Sequence, residues 1–203
     1  MPRIVDHDAR RREIAAALWR VVREQGVDEI SVRSVAAEAG WSAGALRHYF
    51  ASQDDLLGFA LQLMLEQSVE RVRALMADAA LTPLERAVAL VESLLPMDEQ
   101  RRGECLVWVA FADRARLDRT LGHIRQGGWD GTRYVARVVA ADLAGAARPA
   151  DLTTALDDDV LEARARRLHV LVDGWTVHGI SYPDLATPAS LHADVEAELR
   201  SWT

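Results

Sequence analysis

Apolar residues recur at three- and four-residue spacing along almost the whole chain, and no stretch shows the period of two expected of a half-buried strand. This pattern predicts an all-α protein of about nine helices. Half of the residues are hydrophobic, enough for a packed core and too many for a disordered chain. No apolar run approaches the ~20 residues of a membrane span, and the opening Met-Pro-Arg-Ile-Val-Asp-His-Asp has no apolar stretch of the secretory kind. Cys105 is the single cysteine and has no partner within the chain, so a reducing cytoplasm is the expected compartment.

Start and stop signals divide the pattern. A first helix, following Arg10-Arg11-Arg12, buries Ile14, Ala17, Leu18, Val21 and Val22 and stops at Gly26. Ser31 then caps a short helix that ends at Gly40. Ser42 caps a second short helix, Ala43 to Tyr49. Two short helices joined by a tight Gly-containing turn form a helix-turn-helix, whose second helix enters the DNA major groove. Ser52 caps a long fourth helix with Asp54 and Asp55 in its first turn, where the helix dipole favours acids. Thr82-Pro83-Leu84-Glu85 opens a fifth, with Pro at the first helical position and Glu completing a capping box, and Pro96 ends it. Asp98 opens another, running to about Leu117. Residues 120–145 read as a helix flawed by Gly122, Gly127, Gly128 and Gly131, so a kink, a break or a close helix crossing is expected there. Asp157 and Thr187-Pro188 open the last two helices.

The landmarks Ile14, Leu18, Gly26, Ser31, Val35, Ala36, Ala39, Gly40, Ser42, Gly44, Leu46, Tyr49, Phe50 and Leu56 together resemble the N-terminal domain of TetR-type transcriptional regulators. The body, through Met97-Asp98-Glu99-Gln100-Arg101-Arg102, Val107 to Phe111 and Leu171 to Trp175, is similar to the C-terminal domain of the betaine-responsive repressors. The resemblance implies a DNA-binding head at residues 1–53 and a ligand-binding, dimerising helical body at 54–203. It further implies a homodimer on a double-stranded DNA operator, released by an unknown small-molecule effector, with no cofactor. Charge is distributed accordingly: residues 1–53 hold eight Arg and seven acids, residues 54–203 sixteen Arg and twenty-four acids.

Carried over position by position, Ser31 and Tyr49 match phosphate contacts. Arg33 is placed for phosphate or base. Ser42, Ala43, Gly44 and Ala45 open the recognition helix, with methyl contacts and close backbone approach as their means. Arg47 and His48 follow. Position 47 is often Tyr or Phe in the family; an Arg there can grip a phosphate or take guanine O6 and N7. Position 53, usually a phosphate-contacting Lys, is Gln, and the chain contains no Lys at all. Trp41 replaces a smaller aliphatic and is expected to pack the turn.

In the body, Trp108, Phe111, Trp129, Tyr134, Trp175 and His178 are candidates for an apolar ligand pocket. Leu161, Leu168 and Val172, with Leu191, Val195 and Leu199, form two heptad-like stripes suited to an antiparallel helix pair, which in the family resembles the dimer interface. His169 and Asp173 are four apart on one helix face, but no further ligand stands at usable spacing, so no metal site is expected. The chain lacks a phosphate-binding Gly loop, a nucleophile elbow and a zinc motif, which argues against an enzyme. A helical adaptor that binds ligand or protein but not DNA is the alternative that Gln53 and the near-neutral head leave open.

Overall fold

A computed structural model describes residues 7–117 and 122–203. Among them are nine α-helices and one 3-10 turn, and no strand. The helices are α1 (His7–Gln25), α2 (Val32–Ala39), α3 (Ala43–Arg47), α4 (Gln53–Ala77), α5 (Pro83–Glu92), α6 (Glu99–Leu117), α7 (Gly122–Ala144), α8 (Asp159–Ser181) and α9 (Pro188–Arg200).

Local chemistry sets these ends. Gly26 adopts φ +98° after α1, and the 3-10 turn Val27–Glu29, which the spacing does not predict, carries the chain to Ser31. Ser31 and Ser34 close a reciprocal capping box at 3.0 Å in each direction. Gly40 sits in the left-handed region at φ +70°, a conformation costly for residues with a Cβ. Ser42 Oγ accepts from the N–H of Ala45 at 3.1 Å. The helix it opens ends at Arg47, two residues before the expected Tyr49, and His48 and Tyr49 form the closing turn. Ser52 with Asp55 and Thr82 with Glu85 make further capping boxes.

Two apolar cores result. The first joins α1, α2 and α3 through Ile14, Leu18, Val35 and Leu46, and it does not stop at residue 53. Leu56, Ala60 and Met64 of α4 and Val107, Phe111 and Ala115 of α6 belong to it. The second lies among α5, α7, α8 and α9.

The Gly-rich stretch holds a close crossing and not a break. α7 runs unbroken through it, and a Cβ on Gly128 would overlap the ring of Trp108 on α6. Gly127 faces open space. Gly128→Ala is therefore expected to cost about 1–3 kcal/mol through overpacking. Gly127→Ala should gain up to ~1 kcal/mol through helix propensity. Urea denaturation of the two variants separates the effects.

The expected α8–α9 pair needs correction. α8 packs chiefly on α7, and α9 on α5. Leu161, Leu168, Val172, Leu191, Val195 and Leu199, assigned above to the dimer interface, are at most 8% exposed within the single chain. Residues already buried against their own chain have no surface left for a partner. Their heptad-like spacing reports packing inside the body.

Candidate nucleic-acid interface and body clefts

The first core holds the head by its inward residues and leaves a polar face outward. Leu46 is fully buried, while Arg33, Ser42, Gly44, Arg47, His48 and Tyr49 are exposed, and Ser31, Ala43 and Ala45 half-buried. The helix-turn-helix thus brings all nine candidate DNA residues onto α2, α3 and their flanks. The Ser31 hydroxyl is engaged by the Ser34 N–H and hydroxyl, so its part is to start α2. Arg20 of α1 bonds the Glu38 side chain and donates to the Glu38 carbonyl at 3.2 Å, bracing α1 against α2. Arg33 and Arg47 have no carboxylate within ion-pair distance among the described residues. Their charges remain available to an anion.

Trp41 packs the turn, as expected, and does more. Its ring lies against Tyr49 edge-on with centroids 5.7 Å apart, and the Arg10 guanidinium stands over it at 4.7 Å. Arg10, Trp41, Ser42, His48 and Tyr49 line a small cleft of about 650 Å³. Sequence reading missed the Arg10–Trp41 contact, and the unusual Trp at position 41 was the available signal.

The six body aromatics do not gather into one pocket. Trp108 and Phe111 pack in the first core, and Tyr134 and Trp175 against the second. Trp129 is 47% exposed, lying over His169 with centroids 4.3 Å apart. His178 is exposed beside Tyr182. Trp108, Phe111, Tyr134 and Trp175 serve helix packing here. A larger cleft, about 1700 Å³, runs along α4 instead. Its apolar lining includes Phe59, Leu61, Leu65 and Ile124, and its polar lining includes Arg71 and Gln100. Arg71 grips Glu104 of α6 through two bonds of 3.2 and 2.6 Å and the Ser93 carbonyl at 3.1 Å. Arg114, near the end of α6, bonds Asp54 at the start of α4. Arg102 donates to the Gly179 and Ile180 carbonyls at 2.8 and 3.0 Å, satisfying the C-terminus of α8. One helix, α6, thereby ties the base of the head to the long helix of the body.

His169 is buried, and its Nδ1 accepts from Arg133 Nε at 3.1 Å. Asp173 stands 3.7 Å from its Nε2. Burial, and then the Arg133 charge, push the His169 pKa down to about 4. Protons then bind the unfolded chain before the folded one. Stability is therefore full above about pH 6.5 and falls as pH drops toward 4, by on the order of 2–3 kcal/mol. Urea titrations across that range should show the loss in the native protein and a flatter profile in His169→Gln. No group of three or more His, Cys, Asp or Glu among the described residues is placed to hold a metal. Cys105 is buried and its thiol is pushed up to about 12, chiefly by desolvation, which makes it unreactive.

A capped helix-turn-helix with outward arginines, mounted on a helical body, defines a transcriptional regulator of the helix-turn-helix class. Residues 14–58 match the model of bacterial regulatory proteins of the tetR family, and residues 83–202 match the C-terminal domain of the BetI-type transcriptional repressors. The chain belongs to the TetR family and is a transcriptional regulator, not an enzyme. It is 37% identical over 185 residues to the HTH-type transcriptional regulator PksA of Bacillus subtilis (strain 168), covering 90% of this chain and 84% of that one. To BetI of Stenotrophomonas maltophilia (strain R551-3) it is 31% identical over 112 residues, 55% of this chain and 57% of that one. The crystal structure of a transcriptional regulator from Rhodococcus sp. Rha1 superposes with a TM-score of 0.75 at 30% identity, covering 94% of each chain.

Proposed function

We propose that this regulator works in the cytoplasm as a homodimeric repressor, bound to a palindromic operator and released when a small apolar or amphipathic molecule binds the body. Residues 1–53 serve as the reader and residues 54–203 as the regulatory body. The observation that carries this reading is the pair of exposed arginines without carboxylate partners, Arg33 and Arg47, on two capped helices of a TetR-type head. Ala43, Gly44 and Ala45 offer little beyond methyl contacts and close approach, so hydrogen bonds to bases fall to the arginines. Ser42, His48 and Tyr49 flank them on the phosphate side.

The dimer face in this reading is the outer side of α8, opposite the buried seam. Val170, Gly174 and Val177 lie along it at spacings of four and three, all exposed. Ala189, Ala193 and Ala197 form an exposed small-residue stripe on α9. Two such helices from each subunit suit a four-helix interface. The α4 cleft, where Phe59, Leu61, Leu65 and Ile124 lie among charged and polar side chains such as Glu66, Glu70, Arg71 and Gln100, is the body site that suits an amphipathic effector. Release requires the effector to prefer one spacing of the heads; equal affinity for both would shift nothing.

A gel-shift against DNA upstream of the protein's own gene tests the reading. Salt-sensitive retardation is expected, and its absence at every palindrome there would favour the adaptor alternative. Arg47→Ala should weaken operator binding by about 1–3 kcal/mol and leave random-sequence DNA much less affected if Arg47 takes a base. An equal loss on both would make Arg47 a phosphate contact.

A further inference from the structure

We infer that Trp41 is a positioning residue that holds Arg10 and Tyr49 together as a clamp for one DNA backbone phosphate beside the recognition helix. The inference rests on the DNA-binding reading of the head. The chain holds no Lys, and position 53 at the start of α4 is an uncharged Gln, so every side-chain cation of the head other than a protonated His is an Arg. Arg10 belongs to α1, which leads into the head from the far side of the sequence, yet its guanidinium lies 4.7 Å above the Trp41 ring at the turn between α2 and α3. The same indole meets Tyr49 edge-on at 5.7 Å, with the rings 63° apart. Trp41 is thus the shared wall between an arginine from one helix and a tyrosine from the end of another.

The result is a concave site that opens on the outer face of the head, with Ser42 and His48 on its rim. A guanidinium held over an aromatic face still has N–H groups to offer a phosphate oxygen. Among the described residues, the acid paired with Arg10 is Glu13, 3.3 Å from its Nη1. Both side chains are well exposed, at 40% and 53%, and such a surface pair is weak and screened by salt. A smaller aliphatic at position 41 would leave Arg10 without a seat. Trp41 thereby gives a chain without Lys a seated arginine from α1 beside the recognition helix.

A phosphate contact does not depend on sequence, so the test uses a fluorescent mixed-sequence duplex of about 30 base pairs, enough for two half-sites. Anisotropy is read across a sodium chloride titration for the full chain. Each phosphate neutralised contributes ~0.9 to the slope of log affinity against log salt. Arg10→Gln removes one contact from each of the two heads, so it should make the slope shallower by about 1.8, a loss of roughly sixtyfold at 0.1 M salt. Trp41→Leu, though it leaves the Arg10 charge intact, should reproduce that change, and the double variant should add nothing further. Arg10→Lys keeps the charge on an exposed side chain but loses the planar guanidinium that sits over the indole, so it should bind more weakly than the native chain. Circular dichroism checks that Trp41→Leu remains folded; if it does not, Arg10→Lys decides alone. A native slope in Arg10→Gln, a native slope in folded Trp41→Leu, or native affinity in Arg10→Lys would overturn the clamp while leaving DNA binding in place. Failure of the native chain to bind the duplex at all would instead remove the DNA-binding reading.

Discussion

Val170→Glu combined with Val177→Glu is expected to leave the chain folded, to make it monomeric, and to weaken operator binding by about 10²–10⁴-fold. The two valines are 66% and 46% exposed on the outer side of α8, so each carboxylate stays in water when the subunit is alone. In a two-fold dimer the same patch meets itself, and each added charge would face a copy of its own sign. The loss in DNA affinity follows because two linked heads bind the second half-site at a high effective concentration, and a monomer forfeits it. Sedimentation equilibrium checks the oligomeric state, and anisotropy on an operator duplex checks affinity. The contrast is Leu168→Ala on the buried side of the same helix. That change should cost about 2–5 kcal/mol of stability through the cavity it leaves, without a direct effect on assembly.

Arg71→Met should destabilise the protein by about 3–5 kcal/mol, and adding Glu104→Gln should restore most of the loss. The asymmetry follows from burial. The Glu104 side chain is 6% exposed and the Arg71 side chain 28%. Removing Arg71 strands a buried carboxylate whose remaining partner is the Gln100 amide at 3.1 Å. Removing Glu104 instead leaves an arginine that already lines an open cleft and can turn into it. Neutralising Glu104 in the Arg71→Met background removes the stranded charge. Guanidinium-chloride midpoints of the single and double variants measure the recovery. Because this pair joins α4 to α6 beside the larger cleft, the same variants should also alter how the head responds to an occupant of that cleft.

The head was far more legible in the sequence than the body. Ser31, Gly40, Ser42, Ser52 and Thr82 mark helix ends by local chemistry that does not depend on distant partners, and each stands where expected. The 3-10 turn after Gly26 was not legible, because the backbone path of a three-residue link depends on what it must reach. The body failed for a related reason. A stripe such as Leu161, Leu168 and Val172 states that a helix face is buried, but not whether its own chain or a second copy covers it. Here α7 and its neighbours cover it. The aromatics misled in the same way, since Trp108 serves a close helix crossing against Gly128 and Trp129 sits outside. The glycines of 122–131 left a kink, a break or a close crossing open, and only the position of Trp108 explains why residue 128 is glycine.

Two copies of this head, set apart by the body, are expected to read a symmetric DNA site, and selection of bound duplexes from a random-sequence pool by the purified full chain measures this. The expected product is an inverted repeat whose half-sites are centred about one helical turn, roughly 10 base pairs, or a multiple of it apart. Recovery of no enriched sequence, or of a single unrepeated half-site, would contradict it.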